Sequence, residues 1–263
     1  MHYTMKSMQF KSTDLRNHRW NVSCDQARAI QENLRKLRED TDRFGVIRVV
    51  AGLDASFVLR EPQSTRKAPS RWNRMREANR AIACVVAFRL PDLQEVERAF
   101  AITPLEFPYV PGLLSFREIP ALLAALGKLR VQPDLLFCDG QGYAHPRRMG
   151  LASHLGVLLD KPSIGCAKSI LMGNHGPLKT KAGSWTHLID PNAGEERIGA
   201  VLRTRDGVRP VYISSGHRIS LETAIRFTLA VCDGYRIPRP TRSADLYASE
   251  IKRKLLSGDL SEK

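Results

Sequence analysis

The chain contains no apolar run near the roughly 18 residues a membrane-crossing helix needs. Its first residues also lack the apolar core of a secretory leader. Cysteine is sparse and unpatterned. Cys24, Cys84, Cys138, Cys166 and Cys232 are odd in number and far apart, with no CxxC pair and no Cys/His cluster at zinc spacing. That excludes a disulfide scaffold and a structural zinc site. Several of the five lie in apolar runs, where a free thiol acts as a small hydrophobe. A reduced, soluble, cytoplasmic protein with no membrane association is expected. Internal repeats and low-complexity blocks are absent too. Acidic residues are in deficit: 27 Asp+Glu face 41 Lys+Arg, a formal net charge of +14. Such a field draws polyanions at long range, nucleic acid first and anionic membrane second. What is present is ordinary for a globular chain: 263 residues, 43% hydrophobic, enough to bury a sizeable core without staples.

Residues 1–22 are polar and irregular. Ser23 and Gln26 form a capping-box pattern that opens an amphipathic helix through about Asp40. VIRVVAGLDASF, 46–57, is a β-branched run typical of a buried strand. Residues 60–80 carry seven Lys/Arg against two Glu, with two prolines, and read as a basic surface loop. Two strands follow, 81–90 and 95–104, joined at Pro91–Asp92. A helix is expected over 115–129 with Pro120 in its first turn. LLFCD, 135–139, is a short buried strand, 147–160 a helix, and SIGCAK, 163–168, another strand. Later strands fall near 197–205 and 210–214, with a helix over about 220–232 and a basic, partly helical tail, 235–263. Adjacent strands pair antiparallel and helix-separated ones parallel. The simplest architecture is a single-domain α/β fold with one mixed sheet of five or more strands flanked by helices, an arrangement similar to the ribonuclease H-like fold.

Asp54 lies inside an otherwise apolar strand, and a buried carboxylate is costly unless it is paired or holds a metal. Asp139 ends another buried strand and is followed by GQG; strand ends are where open sheets place ligands. Glu118 lies near the start of the intervening helix. If the first and fourth strands are neighbours, the three carboxylates converge, a hard-oxygen set suited to Mg²⁺ or Mn²⁺. Each taken singly also has a structural reading. Lys168, ending an apolar strand, could equally snorkel outward. Tyr109, between prolines, suits either stacking on bases or burial in a stiff loop.

PYVPGLLSFRE, DGQGYAHPRRMGLASHLGV and KPSIGCAKS resemble the motifs of endonuclease V, the inosine-directed repair nuclease. AGLDASF and SSGHRISLETA fit the same family's first strand and late motif, and the likeness runs from about 46 to 235. The resemblance implies a nuclease domain over 46–235 carrying the insertion 60–80, an N-terminal arm and helix over 1–45 packed on it, and a basic tail over 236–263. It implies Asp54, Glu118 and Asp139 as ligands of Mg²⁺, with Mn²⁺ as substitute. His145 and His217 would complete the catalytic set, with Lys168 at the scissile phosphate or attacking water. Pro108, Tyr109, Val110 and Pro111 would form a wedge filling the gap left by a flipped base. Gly112, Leu114, Gly140, Gly142, Leu151, Ala167 and Leu171 would line that base's pocket. Similar enzymes cut the second phosphodiester bond 3′ to a deaminated base, leaving 5′-phosphate and 3′-hydroxyl. Deaminated DNA is the implied partner of a monomeric enzyme. Alternatives are a ribonuclease acting on inosine-containing RNA, or a non-catalytic nucleic-acid-binding module, against which the three carboxylates argue. An excision-nuclease domain of the same fold is opposed by HPRRMG and the Pro–Tyr wedge. The long, basic 60–80 segment departs from the pattern and suggests an extra grip on nucleic-acid backbone.

Overall fold

The structure, a computed structural model, describes residues 18–58 and 77–260. The first 17 residues and most of the basic 60–80 segment lie outside the described residues. Within 77–80, Ala78 is buried and Arg80 already opens a strand.

The capping box forms as the sequence predicts. Ser23 Oγ accepts from Gln26 N–H, and Gln26 Oε1 accepts from Ser23 N–H, at the head of α1 (Cys24–Arg35). The β-branched runs become β1 (Val49–Val58) and β2 (Arg80–Arg89), followed by β3 (Gln94–Pro104) in an antiparallel meander. α2 (Leu114–Leu126) then crosses to β4 (Leu135–Cys138), and α3 (Leu151–Leu159) crosses to β5 (Ser163–Ala167). β6 (Asn174–His175), β7 (Trp185–Asp190), β8 (Glu196–Leu202) and β9 (Val211–His217) extend the sheet, and α4 (Leu221–Ala230) and α5 (Arg239–Ser257) close the chain. The sheet runs β3-β2-β1-β4-β5-β9-β8-β7-β6, with β1, β4 and β5 parallel to one another and β9 antiparallel to β5. No helix among the described residues is long and apolar enough to cross a membrane.

Alternation along the strands gives the sheet two buried faces. Ala51 and Leu53 of β1 join Ile119 and Leu122 of α2 and Leu155 of α3 in one core. Val50 of β1, Phe137 of β4 and Ile164 of β5 join Ala224 of α4 and Ala244 of α5 in the other. Gly52 shows how close the second layer comes: a Cβ built there would lie 1.9 Å from the Pro240 carbonyl oxygen. Only glycine lets the first turn of α5 lie directly on β1, two residues before Asp54.

Several elements differ from the sequence-based expectation, the first helix among them, which ends at Arg35 rather than near Asp40. Pro120 sits inside α2 rather than in its first turn, because the helix starts at Leu114, straight after a turn at Gly112. It withholds a donor from the Phe116 carbonyl. The helix expected over 147–160 begins only at Leu151. Gly150 is its N-cap, packed so tightly that a Cβ would lie 2.4 Å from the Gln141 carbonyl oxygen, and Arg148 before it takes φ 56°. The half-exposed strand β7 was not anticipated, since it carries no continuous apolar run.

Candidate active site

Register places the carboxylates. Leu53 of β1 pairs with Cys138 of β4 in parallel, and Asp139 N–H donates to the Leu53 carbonyl at 3.0 Å, so Asp54 and Asp139 leave neighbouring strands side by side. Glu118 approaches from α2. A fourth carboxylate comes from an element the motifs did not touch: Asp245 of α5. All four line one cavity of about 670 Å³. Lys168, just past the end of β5, reaches in among them, with Nζ 2.6 Å from Asp139 Oδ2 and 2.8 Å from Asp245 Oδ2.

The electrostatics record this crowding. Burial, then repulsion from Asp139 and Asp245, pushes Asp54 up to about 8, with Lys168 opposing. Burial followed by the charges of Asp54 and Asp139 raises Glu118 well above the usual carboxylate range. Asp139 is raised by burial despite its ion pair with Lys168. Burial disfavours the Lys168 ammonium, but Asp139 and Asp245 outweigh it and hold the group charged. Four acids crowd one cavity, and Lys168 pairs with two of them. This donor chemistry fits a hard divalent cation, which would relieve the repulsion. Among the described residues no three His, Cys, Asp or Glu side chains are already at metal-ligand spacing, so Asp54, Glu118 and Asp139 share a cavity without closing on one point.

Beside the carboxylates the same cavity is walled by Gly112, Leu114, Gly140, Leu151, Ala167 and Leu171. Gly142, expected with them, is instead packed under β9, where a Cβ would lie 2.4 Å from the Ser215 carbonyl oxygen. The Pro108–Pro111 segment is a turn into α2. Leu113 N–H donates to the Val110 carbonyl across Pro111 and Gly112, and Gly112 takes φ 77°, the residue pattern of a type II turn. Tyr109 and Pro111 line the cavity, while Pro108 is exposed and Val110 packs against the cluster around Phe107 and Phe116.

His145 belongs to this wall through its hydrogen bonds. Its Nδ1 accepts from Arg147 N–H and Met149 N–H, leaving Nε2 as the donor to the Gly112 carbonyl at 3.0 Å. Burial, reinforced by Arg147, depresses its pKa to about 4, so the imidazole is neutral and fixes the turn. Three donors converge on that carbonyl: His145, Arg147 Nη2 at 2.6 Å and Gln31 Nε2 at 3.2 Å. Gln31, fully buried on α1, also donates to Ser115 Oγ and the Met149 carbonyl and accepts from Arg147 Nε.

His217 is not brought to the site. β9 runs antiparallel to β5 and pairs His217 with Ser163, at the opposite end of β5 from Lys168. There its Nδ1 accepts from Glu39 N–H, its Nε2 lies 3.6 Å from Asp160, and burial lowers its pKa. Asp245 was missed, although a signal existed: Asp245, Ala248, Ser249 and Lys252 recur at helical spacing and all face the cavity.

A mixed sheet whose parallel strands deliver carboxylates to one cleft defines a ribonuclease H-like protein. The model of the family described as Endonuclease V matches residues 29–246, a span that includes Asp245. Endonuclease V of Roseiflexus castenholzii is 50% identical over 234 residues, covering 89% of this chain and 96% of the relative. The crystal structure of endonuclease V from Streptomyces avermitilis superposes with a TM-score of 0.78 at 37% identity, covering 90% of this chain and 96% of that one. Endonuclease V of Ciona intestinalis, in complex with a DNA 24-mer containing an inosine followed by a ribo-adenosine, gives 0.70 at 25% identity, over 88% and 98% of the two chains. The chain belongs to the endonuclease V family of nucleases.

Proposed function

We propose that this chain is a divalent-metal-dependent endonuclease of DNA repair. It recognises hypoxanthine and hydrolyses the second phosphodiester bond 3′ to it, leaving 5′-phosphate and 3′-hydroxyl. One observation carries the reading: the carboxylates and the recess walled by Gly112, Gly140 and Leu151 belong to a single cavity with Tyr109 and Pro111 on its wall. The relative from Ciona intestinalis binds DNA containing an inosine, which points to the same substrate class.

Asp54, Glu118, Asp139 and Asp245 would hold Mg²⁺, or Mn²⁺ in its place. The bound cation supplies Lewis acidity at phosphorus and a more acidic water. Lys168 offers an ammonium to a phosphate that approaches Asp139. In the recess, hypoxanthine differs from adenine by a carbonyl and a ring N–H in place of an amine and an acceptor nitrogen. Main-chain groups beside glycines can approach a base closely enough to tell the two apart, and a hydrogen-bonding site rejects the wrong partner by leaving polar groups unpaired. His145, Arg147 and Gln31 keep the Gly112 peptide fixed while this happens. Tyr109 and Pro111 supply the surface that fills the vacated position.

Labelled single strands carrying deoxyinosine, inosine or adenine, incubated with Mg²⁺ or chelator, test the reading. Cleavage of the deoxyinosine strand, one nucleotide beyond the lesion and only with metal, is expected. Equal cutting of the adenine strand would remove the base assignment, cutting in chelator the metal, and a preference for inosine in RNA would replace the DNA substrate.

A further inference from the structure

Outside the cavity one surface combines charge, an exposed aromatic ring and direct links to the site. Tyr235, in the turn between α4 and α5, leaves 55% of its surface in solvent. Its ring is nevertheless not loose. The Arg242 guanidinium lies 3.8 Å from the ring centroid, and Arg242 is itself pinned by an ion pair with Asp233. A cation covers one side of the ring, and more than half of the residue's surface stays in solvent.

Two independent connections put this stack beside the chemistry. Arg242 precedes Asp245 by three residues on α5, so the two occupy one helix face a turn apart. Arg236, next to Tyr235 in sequence, donates through Nη2 to the Lys168 carbonyl at 2.7 Å and through Nε to the Arg209 carbonyl at 3.0 Å. Arg209 and Arg205 stand exposed on the turn between β8 and β9. The acids nearby are engaged, Asp233 with Arg242 and Asp206 with the Ala182 N–H. The surface is therefore cationic, with a rigid aromatic ring on it, and it continues from the residue that pairs with Asp139.

We propose that Tyr235, backed by Arg242, is a stacking platform for a base of the single strand flanking the scissile phosphate, with Arg205 and Arg209 taking that strand's phosphates. The proposal rests on the nuclease reading above. An exposed ring stacks on any base, and cations on either side follow the backbone, so the contact adds affinity without sequence preference. An arginine behind the ring restricts its rotamers, so little order is lost when a base arrives.

The experiment uses full-length protein carrying Asp139→Asn, to prevent cutting, with Mg²⁺ and a labelled deoxyinosine strand, read by fluorescence anisotropy. Tyr235→Ala and Tyr235→Leu should each weaken binding about tenfold, and Tyr235→Phe less than twofold, with an unchanged salt slope. The Arg205→Gln/Arg209→Gln pair should flatten the slope of log K against log salt by about 0.7 for each lost contact. Binding by Tyr235→Leu equal to the parent, or an unchanged slope in the double variant, overturns the platform. If the protein with Asp139 restored still cuts the deoxyinosine strand in that case, only this inference falls. If that protein neither binds nor cuts the strand, the nuclease reading falls with it.

Discussion

Gly52→Ala adds one methyl group, and the structure says where it goes. The new Cβ would lie 1.9 Å from the Pro240 oxygen, 2.0 Å from its carbonyl carbon and 2.6 Å from Thr241 N. Ordinary contact begins at 3.4 Å, so the start of α5 must retreat by about 1.5 Å. The obstacle is backbone, which cannot swing aside as a side chain does, so the cost falls at the upper end of overpacking, about 3 kcal/mol. For a chain of this size that is a melting-point loss of about 10 °C. The displacement also carries Asp245, about one turn further along the same helix, out of reach of Lys168. A misplacement of about 1 Å in a reactive constellation costs on the order of 100-fold in rate. Single-turnover cleavage of a deoxyinosine strand, with thermal denaturation in parallel, measures both effects. Gly45→Ala is the control: nothing lies within 4 Å of its Cβ, and stability within about 0.5 kcal/mol of the parent is expected. A Gly52→Ala protein that melts with the parent and cuts at the parental rate would refute the idea that β1 and α5 touch here and that α5 completes the site.

Other perturbations give equally definite expectations. Asp139→Ala should abolish cleavage while oligonucleotide binding survives, as gel shift alongside a cutting assay will show; parental cutting would remove Asp139 from the site. Gln31→Leu strips the partners of the Met149 carbonyl and of Arg147 Nε, a cost of about 2–3 kcal/mol in denaturant unfolding. It should also raise KM for the lesion strand more than it lowers kcat. His154 Nε2 meets His18 Nε2 at 2.9 Å, a contact that needs at least one neutral ring as acceptor, and burial depresses both, His18 to about 4. The unfolded chain binds these protons first, so the pair's contribution is complete above pH 6.5 and is lost as pH falls toward 4. Urea midpoints should drop across that window, and His18→Phe should make the drop shallower.

Strands carried the clearest message in the sequence. VVAGLDASF and LLFC are short apolar runs that can only be buried, and their parallel pairing, once made, leaves Asp54 and Asp139 no choice but to be neighbours. Direction was harder to read. SSGHRIS is as motif-like as the others, yet an antiparallel β9 delivers its terminal His217 to the far end of β5. Nothing local in seven residues encodes which way a strand runs through a sheet. The helix over 239–257 is periodic and so was partly legible, but its partner was not. The trace of that partner is Gly52, a glycine inside a strand, which signals close approach without saying of what. Asp245 entered the site on the helix that packs there. Gly142 and Gly112 make the same point from the other side. Both look like pocket glycines in sequence, and only the first turns out to serve packing against Ser215.

Charge poses a contradiction that the site resolves. The chain as a whole is +14 and attracts phosphates over about the Debye length, roughly 10 Å at 0.1 M salt. At the cavity floor the sign reverses, and a phosphate arriving without a divalent cation meets carboxylates. How strongly it is repelled depends on Asp54, whose pKa is pushed up to about 8 by burial and by Asp139 and Asp245. Near neutral pH the metal-free protein holds Asp54 mostly protonated, and Asp54→Asn then removes little charge. Above pH 8 the same substitution deletes a negative charge close to where phosphate sits. One unit charge at about 4 Å in a water-like medium is worth about 1 kcal/mol, close to fivefold in affinity. In chelator, therefore, Asp54→Asn should bind a lesion-bearing strand like the parent at pH 7 and about fivefold tighter at pH 9. With Mg²⁺ the order should invert, because a ligand has been lost. Equal affinities at pH 9 in chelator would mean that Asp54 does not face the bound phosphate, and the shared-cavity reading of the carboxylates would fail with it.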